Sequence, residues 1–391
     1  MSKKKVVVAA VPYSDNLGDG VISDNITGAI LRNYDVDVEV CDISYREKVS
    51  VLKSKEDKLS IFMKLPLLVR QLVVVSFFSL KYFRQGRSYY DGKLNSVKCI
   101  FIGGGQLICD VDANFPLKLF FLVKEAEKRG IPVSIISVGV ANKWSWLGRK
   151  LMSRVVCSPM VKLISVRDSL SRKHLLEQFN VVSVELLPDP ALLSSILSKY
   201  DDFDAGSSVE PKVGIGVADI EGLNYSSDIV NSGELNCSEL FVDIILAANR
   251  QGYSVELFTN GAIEDEHYLN ETLIPILDSH NLNYLVAPKS NTPEQLVRVI
   301  KRYSLVAAYR LHANIIAHSL SIPTYAVSWD NKVSSFFDCI GFPDRAYADL
   351  KSLSSDFERI LLDSKSGEEA FDTNKYEQLY YAFIGKSLEA S

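Results

Sequence analysis

The chain has 391 residues, of which 47% are hydrophobic and 23% are charged, a composition typical of folded globular proteins. Its length suits two domains, at roughly 150 residues per domain or somewhat more. The formal net charge of −5 argues against general nucleic-acid binding, because that requires a basic surface to neutralise phosphates.

Buried parallel strands are predicted in the first half of the chain, each as a run of apolar, β-branched residues followed by a helical pattern. The predicted strands are 6–10, 36–42, 98–102, 132–138, 162–166 and 181–187. Helices are predicted at 23–34, 117–129 and 169–179. We therefore expect a doubly wound α/β domain over residues 1–205, with an insertion at 59–90.

The same rhythm restarts after a polar linker at 201–208 and predicts a second domain over residues 209–391. Its strands are predicted at 213–217, 254–259, 284–286, 305–309 and 324–328, and its helices at 238–250, 265–279, 293–301, 312–320 and 332–340. A last helix at 373–387 is of the kind that packs back onto an N-terminal domain. The expected architecture is two Rossmann-like domains facing across a cleft, as in the GT-B type, with ligands at the carboxyl ends of strands.

The strongest local signal is a predicted strand that ends in Arg310-Leu311-His312 and continues as a helix. The helix N-terminus attracts anions, Arg310 offers a fork of donors for carboxylate or phosphate, and His312 can transfer a proton near neutral pH. The alternative is that Arg310 pairs with a structural carboxylate and His312 only caps the helix. His318, within the helix, is interpreted as structural.

Lys332 follows the next predicted strand, 324–328, whose end lies at the same edge of the sheet. It is predicted to supply a second cation, and the alternative is a solvated surface lysine. In the first domain, the loop after strand 6–10 carries Asn16 and Asp19 without the G-x-G-x-x-G spacing of dinucleotide sites. Both are predicted to face the cleft, where Asp19 could accept a proton; Asp19 as an ordinary residue of a helix start is the alternative.

Glycines end two further strands, at Gly103-Gly104-Gly105 and at Gly139, and they would let a ligand approach the backbone closely. Arg167 ends another strand and is the residue of the first domain best suited to reach an anion across the cleft. A salt bridge from Arg167 to Asp168 or Asp189 is the alternative interpretation.

The segment 59–90 interleaves apolar, aromatic and basic residues but contains no uncharged run of eighteen residues, so we do not expect it to span a bilayer. It is interpreted as a buried helical hairpin, or else as a surface that contacts an anionic membrane or a lipid-linked acceptor. The six cysteines are scattered without CxxC spacing, so no zinc site or disulfide framework is predicted. The lysine-rich start does not resemble a signal peptide, and a cytoplasmic location is expected, with peripheral contact at the inner face of the membrane as an option.

Taken in order, several motifs resemble the polysaccharide pyruvyl transferase family. They are 16–19, 103–106, 137–139, 165–168, 188–191 and 310–313, with Lys332. The resemblance extends from the first strand to about residue 345; the segment 59–90 and the loop 219–236 have no counterpart that we can match.

This resemblance implies transfer of the enolpyruvyl unit of phosphoenolpyruvate to two hydroxyls of one sugar, which gives a pyruvate ketal and phosphate. It implies His312 as proton donor, Arg310 and Arg167 as anion ligands, Lys332 at the phosphate and Asp19 as a candidate base, with Asn16, Gly103, Gly104, Gly105 and Gly139 lining the substrate site. No metal or other cofactor is expected. The alternatives are a GT-B glycosyltransferase that uses a nucleotide sugar and a non-catalytic subunit of a polysaccharide assembly complex.

Overall fold

The computed structural model describes residues 3–48, 62, 64–197, 211–219, 237–364 and 371–391. Contacts divide the chain into two compact units. The first contains Met1–Ser14, Ile22–Pro190 and Asn374–Ser391, and the second contains Asp15–Val21 and Ala191–Thr373. The predicted linker at 201–208 lies outside the described residues.

The first unit is built on a parallel sheet of six strands in the order β2-β1-β3-β4-β5-β6. The strands are β1 (Lys4–Ala10), β2 (Val36–Asp42), β3 (Val97–Gly103), β4 (Val133–Val138), β5 (Val161–Val166) and β6 (Glu185–Leu186). Their central residues are buried because helices cover both faces of such a sheet. The predicted strand 181–187 is wrong for most of its length, since Val182 is fully exposed and only the two residues of β6 pair with β5.

The helices of the first unit are Leu17–Asn33, Leu67–Lys81, a π-helix at Tyr82–Gly86, Arg87–Lys93, Asn114–Arg129, Trp146–Val156 and Ser169–Gln178. The first of them begins six residues before the predicted start at 23. The helix Trp146–Val156, which begins at the N-cap Ser145, was not predicted. Residues 67–93 form one uninterrupted helical run, so the predicted hairpin does not occur within the described part of the segment 59–90.

The second sheet is also parallel, in the order β12-β11-β10-β7-β8-β9. Its strands are β7 (Lys212–Gly216), β8 (Ser254–Phe258), β9 (Leu285–Val286), β10 (Leu305–Ala308), β11 (Thr324–Val327) and β12 (Ala346–Tyr347). Read from the β9 edge, this is the order 3-2-1-4-5-6 of dinucleotide-binding sheets. The short β12 was not predicted.

The helices of the second unit are Cys237–Arg250, Ile263–His267, a π-helix at Tyr268–Leu273, Ile274–Ser279, Pro293–Ile300, Leu311–Ser319, Asn331–Cys339 and Leu350–Ser364. Short 3-10 helices lie at Pro190–Ile196 and Pro343–Arg345. The last helix, Thr373–Glu389, belongs to the first unit from Asn374 onward, and there Tyr381 stacks on Tyr34 with ring centroids 5.3 Å apart. The two doubly wound α/β units confirm the predicted fold class.

Candidate functional site

The second sheet reverses its strand order between β7 and β10, which are paired neighbours. In doubly wound sheets, ligands bind beyond the carboxyl ends of the strands at such a switch point. Arg310 lies two residues after the end of β10 and is the N-cap of the helix Leu311–Ser319. The Arg310 side chain makes no capping hydrogen bond to the backbone N–H groups in the first turn of this helix. The fold therefore places the predicted arginine where this sheet type binds ligands.

The Arg310 guanidinium is ion paired with Asp265. Its Nε and Nη2 each donate a hydrogen bond of 2.8 Å to one carboxylate oxygen, and Glu264 lies 3.7 Å from Nη2. Asp265 is fully buried and also accepts the backbone N–H of Asp219 at 3.0 Å. The structure therefore shows the alternative interpretation of Arg310, in which it pairs with a structural carboxylate. The Nη1 group makes no hydrogen bond to any residue in the described ranges, so it can still donate to a ligand.

Burial opposes the charge on Arg310, but the hydrogen bonds and charge of Asp265, then the charges of Glu264 and Asp19, raise its pKa above the ordinary value. Arg310 is thus a permanently charged, fixed donor. Because Asp265 already compensates its charge, the binding of a further anion has to use directed hydrogen bonds and additional cations.

Asn314 fixes the backbone around Arg310. Its buried amide donates to the Ala308 and Arg310 carbonyl oxygens at 3.0 and 3.2 Å, and it accepts from the Thr324 hydroxyl at 2.6 Å. The Trp329 indole donates to the Tyr309 carbonyl at 2.7 Å. These bonds join the ends of β10 and β11, so the orientation of the Arg310 backbone is set by both strands.

His312 is buried and lies against Gly18. A Cβ atom built on Gly18 would overlap the imidazole ring, so only glycine leaves room for it. The Leu17 N–H donates to the Asn260 carbonyl at 2.9 Å, and the whole segment Asp15–Val21 groups with the second unit. The structure thus brings Gly18 and Asp19 together with Arg310 and His312.

Asn16 explains why this helix begins earlier than predicted. Its side-chain oxygen accepts the Gly18 N–H at 3.3 Å and its carbonyl accepts the Asp19 N–H at 3.1 Å. Such capping offsets the poor helix propensity of Gly18 and Gly20. Asn16 therefore has a structural role, and its predicted contact with substrate stays a prediction.

We expect Gly18→Ala to displace the His312 ring and to lower turnover, because the added methyl group and the imidazole cannot occupy the same space. Gly92→Ala is the matched control, since a Cβ there meets nothing within 4 Å and alanine is about 1 kcal/mol better than glycine in a helix. Turnover and thermal unfolding of both variants provide the test. Wild-type turnover in Gly18→Ala would show that the position of the ring is not critical.

Asn260 has surroundings that its sequence position does not predict. It follows β8 by two positions, is 1% exposed, and neither its amide nitrogen nor its amide oxygen bonds to a residue that the structure describes. A buried amide without partners costs about 1–3 kcal/mol, so the position is suited to a polar ligand atom. The strand-end location was a usable signal, but asparagine is common in turns and therefore did not stand out.

Lys332 lies in the first turn of the helix Asn331–Cys339, after β11. Its ammonium group is 4.1 Å from the centroid of the Trp329 ring, a cation–π contact, and its N–H is bound by the helix cap Asp330 at 2.9 Å. Because β11 is paired with β10, Lys332 and Arg310 follow neighbouring strands of the sheet. Its predicted role at a phosphate stays a prediction.

Arg167 belongs to the first unit, where it is buried. It pairs with both carboxylates of the alternative interpretation, Asp168 and Asp189. Its Nε lies 3.2 Å from Asp168 and its Nη1 lies 3.5 Å from Asp189. Gly139 makes room for this group, because a Cβ there would come within 2.9 Å of the guanidinium carbon. The structural pairing is thus observed, while a contact between Arg167 and substrate stays a prediction.

The glycine run after β3 allows close packing of the helix Leu17–Asn33. A Cβ on Gly103 or Gly104 would overlap the side chains of Ile136, Ile26 or Ile22. Gly104 and Gly105 have φ angles of 76° and 67°, which other residues rarely adopt. Packing accounts for the first two glycines of the run, and the predicted contact of all three with a ligand stays a prediction.

His318 is enclosed by aromatic rings, with Phe371 at 4.8 Å, Phe342 at 6.0 Å and Phe336 at 6.2 Å between ring centroids. Burial, with a smaller effect of the Arg345 charge, lowers the pKa of His318 to about 4. The ring is therefore neutral at physiological pH and packs as an aromatic residue. This agrees with its interpretation as structural.

His318 should make stability depend on pH. Its folded pKa of about 4 lies below the unfolded value of 6.5, so its contribution is complete above pH 6.5 and is lost as the pH falls towards 4. By linkage, the loss approaches about 3 kcal/mol. We expect His318→Phe to flatten the fall in the free energy of unfolding over this range, as measured by urea titration at several pH values. Parallel curves for the two proteins would contradict this.

No group of three or more His, Cys, Asp or Glu side chains suited to a metal ion occurs in the part of the chain that the structure describes. The groups that meet at the second sheet are a fixed guanidinium, a buried imidazole, a helix N-terminus and an aspartate. Together these groups can hold an anion and move a proton.

The chain is a Rossmann-type α/β protein, because each of its two units is built on a doubly wound parallel sheet. The second unit carries Arg310 and His312 at the switch point of its sheet. A family model described as "Polysaccharide pyruvyl transferase" matches residues 16–331. The chain belongs to the polysaccharide pyruvyl transferase family, as the order of its motifs predicts. A comparison with curated proteins returned no match.

Solved structures share the fold at low sequence identity. The UDP-GlcNAc 2-epimerase from Neisseria meningitidis aligns over 100% of both chains with a TM-score of 0.53 and 12% identity. A putative UDP-N-acetylglucosamine 2-epimerase from Listeria monocytogenes aligns over 97% of this chain and 91% of its own, with a TM-score of 0.53 and 10% identity. The trehalose-6-phosphate synthase OtsA aligns over 98% of each chain with a TM-score of 0.52 and 12% identity. These proteins are of the GT-B type, and the likeness concerns the fold alone.

Proposed function

We propose that the protein transfers the enolpyruvyl unit of phosphoenolpyruvate to two hydroxyls of one sugar in a surface polysaccharide or its precursor. The products are a cyclic pyruvate ketal and inorganic phosphate. The observation that carries this proposal is the match of residues 16–331 to the pyruvyl transferase family, with Arg310 and His312 at the switch point of the second sheet. The acceptor is a saccharide, free or lipid-linked.

His312 is the proposed general acid. It protonates the methylene carbon of phosphoenolpyruvate and leaves an oxocarbenium-like centre at the neighbouring carbon. One sugar hydroxyl attacks this centre and loses its proton to Asp19. The phosphate then departs with the proton held by Asp19 and leaves an electrophilic carbon. The second hydroxyl attacks this carbon to close the ketal, and its proton returns to His312. The burial of His312 supports this role, because exclusion of water strengthens the interaction of a fixed donor with developing charge.

Arg310 and Lys332 are the proposed cations for the carboxylate and phosphate of the donor, and Arg167 is the proposed cation of the first unit. Two observations support this assignment: within the described ranges Nη1 of Arg310 makes no hydrogen bond, and the Arg310 side chain does not cap the helix that it begins. The reaction needs no metal or other cofactor, and phosphoenolpyruvate acts as a co-substrate. A cytoplasmic location is part of the proposal, since the five cysteines with described side chains are free thiols, as expected in a reducing compartment.

Asn260 is assigned to the same site because its buried amide has no hydrogen-bond partner among the described residues. Asn260→Leu should therefore make the protein more stable and its binding of phosphoenolpyruvate weaker. The unfolding free energy should rise by about 1–3 kcal/mol, because an unsatisfied buried amide is replaced by an apolar group of similar size. The Michaelis constant for phosphoenolpyruvate should rise as well, because a hydrogen-bond partner is lost. Urea unfolding and steady-state kinetics measure the two effects, and greater stability with unchanged kinetics would remove Asn260 from the site.

The test of the whole proposal is phosphate release from phosphoenolpyruvate with galactose, glucose, mannose and N-acetylhexosamine acceptors. A thermal-shift comparison with nucleotide sugars accompanies it, because a ligand that binds the native state raises its melting temperature. We expect stabilisation by phosphoenolpyruvate. Stabilisation by nucleotide sugars alone, with no phosphate release, would instead identify a glycosyltransferase.

A further inference from the structure

The helical run 67–93 of the first unit has its polarity reversed relative to an ordinary surface helix. Towards the protein, the Gln71 amide donates to the Ser145 hydroxyl at 2.6 Å and the Lys81 ammonium donates to the Ser44 carbonyl at 2.7 Å. Arg70 pairs with Asp112 at 3.2 Å on the same side. Polar groups thus attach this helix to the first unit.

Apolar side chains cover the opposite side, which we term the outer face. Leu68, Leu72 and Phe77 are 73%, 68% and 60% exposed. The outer face consists of exposed large apolar residues of the helical run and one that precedes it, Leu65: Leu65, Leu67, Leu68, Val69, Leu72, Val73, Phe77, Leu80 and Phe83. An apolar surface of this extent on a water-soluble unit marks an interaction site.

The charged residues in the stretch that carries the outer face, 64–90, are all basic. Between Asp57 and Asp91 the sequence contains no acidic residue, although the chain as a whole carries a net charge of −5. Lys64, Arg84 and Arg87 are exposed basic residues at the two ends of the outer face. Apolar groups between cations match the surface of an anionic bilayer, where acyl chains lie behind negative headgroups.

We propose that the outer face binds the surface of an anionic lipid bilayer, with the helical run lying in the plane of the interface. In the part of the chain that the structure describes, no helix is long and apolar enough to cross a membrane. A second copy of the chain is a poorer occupant, because a two-fold contact would bring the same basic residues together. Membrane binding would place the enzyme beside a lipid-linked saccharide. This part of the inference rests on the proposed function, which supplies the saccharide acceptor.

Co-sedimentation of the full chain with vesicles tests the inference. Wild type should bind phosphatidylcholine vesicles that contain about one third phosphatidylglycerol, and added salt should weaken this binding. Leu68→Gln/Leu72→Gln/Phe77→Gln should bind at least about tenfold more weakly, and Arg84→Glu should weaken binding to the anionic vesicles. The matched control is Leu176→Gln/Leu246→Gln/Leu362→Gln, in which the replaced leucines are 42%, 41% and 53% exposed on other helices. The control should bind like wild type.

Absence of binding to anionic vesicles, or equal loss in the control, would overturn the inference. The inference would also be overturned if the wild type formed a dimer, the outer-face variant did not, and neither bound vesicles. The outer face would then bind a second copy of the chain. Far-UV circular dichroism and the melting temperature should not change, because the replaced side chains are exposed. Phosphate release with a soluble acceptor should also be unchanged in the variant, so a failure of membrane binding is distinguishable from a failure of the proposed reaction.

Discussion

Replacement of His312 by alanine is expected to lower turnover by about 10²–10⁴-fold, the contribution of a positioned general acid. The loss should appear at saturating phosphoenolpyruvate, because the proposed proton transfer occurs after the donor is bound. Phosphate release measures the loss, with whichever sugar of the acceptor panel supports it in the wild-type protein. The melting temperature should be recorded in parallel, since the imidazole is buried against Gly18.

His280→Ala is the matched control for this experiment. His280 lies in the same unit at the end of the helix Ile274–Ser279 and is exposed. Within the described residues its side chain bonds locally, to Ser279 and the Ile276 carbonyl. Its replacement should leave turnover unchanged. Near wild-type turnover in His312→Ala would remove the proton-donor role from this residue, while the proposed anion site at Arg310 could still hold.

Replacement of Asp265 by alanine is expected to lower the free energy of unfolding by about 3 kcal/mol, because Arg310 then lacks its partner for a buried charge. The Asp219 N–H loses its acceptor at the same time. Urea unfolding provides the measurement. Activity should fall as well, since Asp265 fixes the direction in which the guanidinium donates.

Glu264→Ala is the control, because this carboxylate is 52% exposed and lies 3.7 Å from Arg310. Its loss should cost less than about 1 kcal/mol, as for exposed ion pairs. In the double variant Asp265→Ala/Arg310→Met, most of the stability lost in Asp265→Ala should return, since no unpaired charge remains. Equal costs for Asp265→Ala and Glu264→Ala would mean that the buried pair does not determine stability here.

The fold was predictable because buried parallel strands leave a strong local signal. The apolar runs at 6–10, 36–42 and 213–217 correspond to β1, β2 and β7 within a few residues. The amphipathic helices Trp146–Val156 and Leu350–Ser364 were missed, and the two-residue strand β12 is too short for any periodic pattern.

The geometry of the candidate site was predictable only where its residues are close in sequence. Arg310 and His312 belong to one strand-to-helix connection, whose chemistry is local. Asp265 is 45 residues from Arg310. A single carboxylate at the start of a helix does not indicate which distant residue it pairs with. The role of Gly18 beside His312 likewise depends on tertiary contacts that a local pattern does not contain.

The segment Asp15–Val21 follows β1 of the first unit but groups with the second. A fragment of residues 191–373 would therefore lack the Leu17 N–H for the Asn260 carbonyl and the Gly18 surface for the His312 ring. The second unit is discontinuous in the chain, so a contiguous excised fragment cannot reproduce it. A chimaera that is to contain the second unit must therefore take two stretches of sequence from the same parent. A domain exchange cut only near residue 190 would combine Arg310 and His312 of one parent with the segment 15–21 of the other.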